Sequence, residues 1–253
     1  MQNKFIILTP AYKVSKWIEM YANMLKFQSY KNFEVYFVDD ASPDDTVERL
    51  KEEVGDDPRF HIYKNEVKVG SPLANIVKAF NYANPADEDI IVNIDGDDWL
   101  SSVFVFQYLD NVYNAHRCWL TYGNYQMYPS GELGGHATLS IPDGVSKANA
   151  YKQYPFVTSH LRSYKAGLFK KVDRNDLLDP RTGEIYKEAS DLALMFPMLE
   201  MAGNEKAIKT DDVLLILNRE NEINEAKLGI EKQKETEMII RTKQKVYDRI
   251  HNL

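Results

Sequence analysis

The chain has 253 residues, 44% of them hydrophobic, enough apolar material to bury the core of one domain. A formal net charge of −7 argues against a nucleic-acid partner, because a phosphate backbone asks for a basic footprint. A lone cysteine, Cys118, excludes an intrachain disulfide and suits a reducing compartment. Met1 to Lys4 runs straight into the strand-like Phe5-Ile6-Ile7-Leu8, so no leader is expected. No apolar run approaches the roughly 20 residues that span a bilayer, and a cytoplasmic protein, free or peripheral to a membrane, is expected.

In chain order, residues 5–9 read as a strand and 15–27 as a helix carrying Trp17, Ile18, Tyr21, Met24 and Leu25. Residues 33–38 form a second strand ending in Asp39-Asp40-Ala41-Ser42. Asp44 or Asp45 can cap the helix that follows, through Val47, Leu50 and Val54. Residues 60–63 are a third strand, and Gly70-Ser71-Pro72 opens a helix with Ile76, Val77, Phe80 and Tyr82. Ile90 to Ile94 is a fourth strand, an apolar run of the kind buried in a parallel sheet. This βαβα alternation predicts an α/β fold with a mostly parallel, doubly wound sheet. Three of its strands end in polar turns, Thr9-Pro10, Asp39-Asp40 and Asp95-Gly96-Asp97, and these turns should meet at the sheet edge where such folds bind ligands.

The second half is less regular. Residues 101–115 read as a helix and 119–128 as an alternating segment, with Pro129-Ser130-Gly131 and Gly134-Gly135 marking a hairpin or mobile loop. Residues 164–172 and 189–201 look helical, 213–217 form a late strand, and 225–250 form a long helix of mixed charge. Mixed charge usually marks a solvated face, so this last helix is expected to dock on the domain or to serve a homodimer contact. With no repeat or low-complexity linker, residues 1–253 are taken as one domain: a nucleotide-sugar half over 1–100, an acceptor half over 101–222 and a C-terminal helix over 223–253.

The turn Asp95-Gly96-Asp97-Asp98 sets three carboxylates side by side at a strand end. Their repulsion asks for a cation, and hard oxygen ligands suit Mg²⁺ or Mn²⁺. An anionic ligand would also need such a local cation, since the overall charge repels it. The competing reading is an acidic turn that caps the next helix, through Asp98 or Ser101.

Several segments, in order, resemble the family-2 glycosyltransferases of GT-A fold: Leu8-Thr9-Pro10-Ala11-Tyr12, Val38-Asp39-Asp40-Ala41-Ser42 and Asp95-Gly96-Asp97-Asp98-Trp99-Leu100. Thr121 to Tyr125, Ser159-His160-Leu161-Arg162, and Asp191-Leu192-Ala193 through Glu200 to Gly203 extend the likeness toward a subgroup found in bacteria and large viruses. Three departures touch the acceptor side and the C-terminal closure. Lys13 stands where Asn is common, Leu215 to Arg219 where a Tyr-x-Tyr-Asn-like segment is usual, and Ser190 where an acidic residue often precedes the catalytic Asp.

The resemblance implies a metal-dependent, inverting transfer of a sugar from a nucleoside-diphosphate sugar, with UDP the expected nucleotide, to a hydroxyl of a saccharide or glycoconjugate. Asp97 is the first choice of ligand for the Mn²⁺ or Mg²⁺ bridging the diphosphate, and Asp95, beside Gly96, reaches the ribose or a metal-bound water. Asp39 is suited to accept from uracil N3–H, or else forms only its own turn, and Asp40 is balanced between the two. Thr9, Pro10 and Tyr12 line the base. Lys68 and Asn75 lie where a base or diphosphate contact competes with a plain loop. Asp191 aligns with the catalytic base, against the reading that it or Ser190 merely caps a helix. His160 and Arg162 alternate with Leu161, so both would face donor phosphate or acceptor from an extended segment. Trp119, Tyr122, Tyr125 and Tyr128 offer faces for sugar rings or are ordinary strand content. Two other classes remain. A sugar nucleotidyltransferase would carry a Gly-rich, basic phosphate loop after its first strand, unlike Pro10-Ala11-Tyr12-Lys13. An inactive carbohydrate-binding or scaffold protein of this fold would bind no nucleotide.

Overall fold

A computed structural model describes residues 2–135, 139–221, 230–242 and 245–253, with the backbone alone for Ile230. The first half alternates as expected: β1 (Phe5–Ala11), α1 (Ile18–Lys26), β2 (Phe33–Asp39), α2 (Thr46–Val54), β3 (Phe60–Lys64), α3 (Pro72–Ala83) and β4 (Ile90–Asn93). There follow β5 (Trp99–Leu100), α4 (Val105–His116), β6 (Leu120–Tyr128), α5 (Asp143–Lys147), β7 (Arg162–Lys165), α6 (Ala166–Lys170), α7 (Ser190–Ala202), β8 (Ala207–Asn218) and α8 (Ile230–Thr242).

These strands build one sheet in the order β3-β2-β1-β4-β7-β6-β8-β5. The first four are parallel, β7 runs against both β4 and β6, β8 is parallel to β6, and β5 is antiparallel to β8. The period-two alternation of β1 explains the layers. Ile6 and Leu8 face a core closed by α3, α6 and α7, while Phe5 and Ile7 face one closed by α1 and α4. Helix α3 starts where Ser71 Oγ accepts from the Ala74 amide (3.1 Å), with Pro72 as its first residue. The same hydroxyl donates to the Tyr186 carbonyl (2.7 Å), a buried tie from the nucleotide half to the segment before α7.

Four elements differ from the sequence reading. The helix expected from 164 begins only at Ala166, because Arg162 to Lys165 is a central strand. That strand escapes an apolar template because Ser163 is buried by polar pairing, with Thr121 Oγ1 at 2.6 Å and the Tyr113 hydroxyl at 2.9 Å. Trp99 and Leu100 pair with β8, which delays α4 to Val105. Strand β8 starts at Ala207, well before 213, and its polar residues Lys209 to Asp212 obscure the period. Helix α8 ends at Thr242, and residues 245–253 continue without regular structure; the expected stretch 225–229 and residues 243–244 lie outside the described residues.

The C-terminal segment docks on the domain. Helix α7 is buried on nearly every side, and its Glu200 (fully buried) meets Lys152 Nζ at 3.1 Å. The Tyr247 amide donates to the other Glu200 oxygen (3.0 Å), and the Arg249 guanidinium donates to the Leu199, Glu200 and Ser146 carbonyls. Among the described residues no helix is long and apolar enough to cross a membrane.

Candidate active site

Because β2, β1 and β4 are neighbours, their carboxyl ends lie side by side, with Ala11 in register with Asp39 and Leu8 with Asn93. The acid turn packs against the chain leaving β1. A Cβ on Gly96 would stand 2.8 Å from the Ala11 Cβ and 3.2 Å from Val14 Cγ2, so the approach requires glycine. The Gly96 amide also donates to the Pro10 carbonyl (3.1 Å).

At the β2 end the two aspartates divide. Asp39 Oδ2 accepts from the Ser42 amide (2.9 Å), while its Oδ1 is buried with no partner among the described residues. Burial pushes its pKa up, against the lowering by Ser42. Asp40 instead spends both oxygens on its own scaffold, accepting from Asn65 Nδ2 (2.8 Å), the Val69 amide (2.8 Å) and the Gly70 amide (2.7 Å). Burial alone would raise the Asp40 pKa, but these donors outweigh it and hold it below the usual value. Asn75, also buried, accepts from the same Asn65 amide (2.9 Å). Asp40 and Asn75 thus support the loop, and Asp39 is the group with an oxygen to spare. The Thr9 hydroxyl is sealed in a 2.6 Å hydrogen bond with Tyr21, which leaves only its main chain for a ligand. Lys68 Nζ lies 3.5 Å over the Tyr12 ring, so these two side chains form one wall.

In the acid turn, Asp97 Oδ2 accepts from Asn221 Nδ2 (2.8 Å) and Asp98 Oδ1 from the Asn218 amide (2.8 Å). The capping alternative does not hold. Helix α4 begins after Phe104 with no side-chain cap, Asp98 anchors the end of β8, and Ser101 Oγ donates to the Val213 carbonyl (2.5 Å). Asn218 and Asn221 escaped the sequence reading because they lie more than a hundred residues downstream; polar residues directly after a late strand were their only signal. Burial raises the pKa of all three carboxyls, and the neighbouring Asp97 charge adds to this at Asp95 and Asp98. Asp95 is pushed up to about 7, with Arg162 pulling the other way.

No three Asp, Glu, His or Cys side chains among the described residues form a ready-made metal cage. A cation shared with a diphosphate needs only one or two protein carboxylates. Crowded acids whose pKa values are raised by burial and, at Asp95 and Asp98, by a neighbouring carboxylate fit that lesser demand; Asp97 would hold the ion, with Asp95 beside it for the ribose or a metal-bound water.

Register places Arg162 opposite Asn93, two residues before Asp95. Its Nη2 donates to Asp191 Oδ2 (3.0 Å) and reaches His160 Nε2 at 3.4 Å, while Nε donates to the Thr158 carbonyl (3.0 Å). Asp191 sits in the first turn of α7, where its Oδ1 also accepts from the Leu192 amide (3.0 Å); the cap position is Ala189, with no side-chain cap. His160, in a T-shaped pair with Tyr125 at 5.7 Å between ring centroids, is held neutral by burial and then by the Arg162 charge. Thus Asp95, Asp97, His160, Arg162 and Asp191 share one end of the sheet, with Asp39 at the neighbouring β2 end.

The glycosyl transferase family 2 model matches residues 6–173, and the chain belongs to that family. Glycosyltransferase GlyA of Streptococcus pneumoniae is 23% identical over 188 residues, covering 68% of this chain and 26% of that protein. Among solved structures, S. aureus TarS superposes with a TM-score of 0.65 at 20% identity, covering 85% of this chain and 36% of that one. TarS 1–349 in complex with UDP-GlcNAc gives 0.62 at 20% identity, over 85% of this chain and 58% of that one. Mannosyltransferase PcManGT from Pyrobaculum calidifontis, in complex with GDP-Man and Mn²⁺, gives 0.56 at 16% identity, over 85% and 57%. The fold is therefore GT-A, and the chain spans about a quarter of the GlyA relative and about a third of full TarS.

The raised carboxyl at Asp95 gives a pH signature. An acid whose folded pKa exceeds its unfolded value stabilises the protein at low pH and loses that contribution as pH rises through the folded value. Without metal, the melting temperature should therefore fall as pH rises from 6 to 8, through the Asp95 value of about 7. A Mn²⁺ ion bound there would compete with protons for these oxygens, so the stabilising shift it gives should grow over the same range. A metal-induced shift that is flat from pH 6 to 8 would contradict this account.

Proposed function

We propose that this chain is a metal-dependent, inverting glycosyltransferase domain that moves a sugar from UDP to a hydroxyl of a saccharide or glycoconjugate. The observation that carries the reading is the pairing, across one sheet edge, of the Asp95–Asp97 turn with the Arg162–Asp191 ion pair. The spare Asp39 oxygen supports uracil, whose N3–H is a donor, and the UDP-GlcNAc complex of TarS 1–349 is in keeping with it. The GDP-Man and Mn²⁺ complex of PcManGT is in keeping with a divalent ion on a nucleotide-sugar diphosphate.

In this mechanism Asp39 and the Tyr12–Lys68 wall hold the base, and Asp95 takes the ribose or a metal-bound water. When bound, the divalent ion supplies Lewis-acid stabilisation to the departing diphosphate. Asp191 accepts the proton of the acceptor hydroxyl as that oxygen bonds to the anomeric carbon and the bond from that carbon to the diphosphate oxygen breaks. A carboxylate suffices as base because the hydroxyl acidifies as the new bond forms. Arg162 orients Asp191, and neutral His160 is free of charge competition toward the acceptor. A single displacement inverts the anomeric centre. The three parts of the chain act as one domain, with the C-terminal segment clamping α7 and so the base at its first turn.

The test is a thermal-shift panel of UDP-, GDP-, dTDP- and CDP-sugars with and without Mn²⁺. A UDP-sugar should give the largest Mn²⁺-dependent shift. A GDP-sugar in first place removes the uracil role of Asp39, and no shift with any donor removes the transferase reading.

A further inference from the structure

Strand β4 is apolar except at its last residue, Asn93. By alternation the Asn93 side chain shares a sheet face with Ile91, on the side covered by α3 and α7. It is only 7% exposed. Its Oδ1 accepts from the Tyr164 hydroxyl at 3.3 Å, and its Nδ2 is buried with no partner among the described residues. Turning the amide over exchanges the two ends and still leaves one unpaired. An unpaired buried amide carries a desolvation cost that an apolar residue of equal size would not. Such a cost at the carboxyl end of a central strand points to a ligand.

The position identifies which part of the ligand. Asn93 is in register with Leu8 on one side and with Arg162 on the other, and it lies two residues before Asp95. Arg162 in turn holds Asp191. Asn93 therefore lies on the floor between the diphosphate end of the site and the base. The transferred ring must occupy that interval, because its anomeric carbon has to meet both. Base, ribose and metal already have their own residues. We propose that the Asn93 NH₂ donates to a hydroxyl of the transferred sugar and so helps decide which donor sugar is used. This rests on the transferase reading above. A site built to hydrogen-bond one hydroxyl rejects sugars that lack it or misplace it, because its own polar group is then left unpaired.

The test is Asn93→Leu, which keeps the volume and removes the donor, with Asn93→Ser as a smaller second variant. Wild type and variants are compared in melting temperature, in Mn²⁺-dependent UDP binding, and in donor cleavage of UDP-glucose, UDP-galactose and UDP-N-acetylglucosamine. The expected result is UDP affinity within about twofold, while the melting temperature of Asn93→Leu reflects two opposed changes, removal of the unpaired amide and loss of the acceptor of the buried Tyr164 hydroxyl. For both variants kcat/KM on the preferred donor should fall about tenfold or more, with the preference over its epimer compressed, as loss of one hydrogen bond implies. Unchanged preference among the three sugars in both variants, or a lower melting temperature with unchanged kcat/KM, overturns the assignment while leaving the transferase reading intact. A wild-type protein that neither binds nor cleaves any of the three sinks that reading, and this assignment with it.

Discussion

Asp191→Asn is expected to lower sugar transfer by about 10²–10⁴-fold, the usual contribution of a positioned general base, while leaving UDP binding within a few-fold of wild type. The substitution is chosen for what it keeps. The native carboxylate accepts from Arg162 through one oxygen and from the Leu192 amide through the other, each at 3.0 Å; asparagine keeps the shape and one oxygen, enough to accept from Arg162 but not from both donors. Arg162 thus keeps a hydrogen-bond acceptor although not its counter-charge, a smaller disturbance than removal of the side chain. The capacity to take a proton is lost, together with the counter-charge to Arg162 and the bond from the Leu192 amide, so the melting temperature is read beside the rate. The measurement is initial transfer rate beside donor affinity by calorimetry. Transfer retained within a few-fold, with donor binding intact, would show that Asp191 is an anchor for Arg162 and that another group removes the proton. Arg162→Lys is an informative companion, since an ammonium on a flexible stem can neutralise Asp191 without fixing its plane.

Asp97→Asn should abolish the Mn²⁺-dependent part of donor binding and lower transfer by roughly 10²–10³-fold, the scale on which loss of a preorganised charge-stabilising group acts. The Asn221 contact survives in part, because the new side chain still offers an oxygen to the amide that now donates to Asp97 at 2.8 Å. The fold should therefore persist, and the metal-free melting temperature should rise slightly as one of three mutually repelling carboxyls is removed. Calorimetric titration of Mn²⁺ in the presence of UDP reads the effect directly. Unaltered Mn²⁺ affinity would move the metal role to Asp95. The contrasting change Asp98→Ala should leave Mn²⁺ affinity nearly unchanged and lower stability, since it removes the acceptor that holds the Asn218 amide at the end of β8.

The division among these acids shows what was legible from residue order. Alternation in β1 and the apolar run of β4 dictate buried strands, and Ser71-Pro72 dictates a helix start, because these signals are local and repeat at the spacing of the backbone itself. The turns at Pro10, Asp39 and Asp97 follow from strands that end abruptly, and their meeting at one edge follows from parallel topology. The reading failed where a long-range partner decides. Strand β7 lacks an apolar pattern because Ser163 is satisfied by Thr121 and Tyr113, neither of which is near it in the chain. Residue order favours Asp39 for the uracil and leaves Asp40 open, and only the amides of Val69 and Gly70, which consume Asp40 and not Asp39, decide the second.

For this protein, then, the linear chain determined the α/β alternation, the glycosyltransferase motifs and the sheet edge that carries them. Each depends on period, turn chemistry or a short run of residues. Tertiary structure alone decided which carboxylates have oxygens to spare, that Arg162 stands between the acid turn and Asp191, and that β4 ends in an amide with one end unpaired. Hydrogen-bond accounting in a buried site is a property of atoms brought together from distant positions, and no local pattern in the chain encodes it.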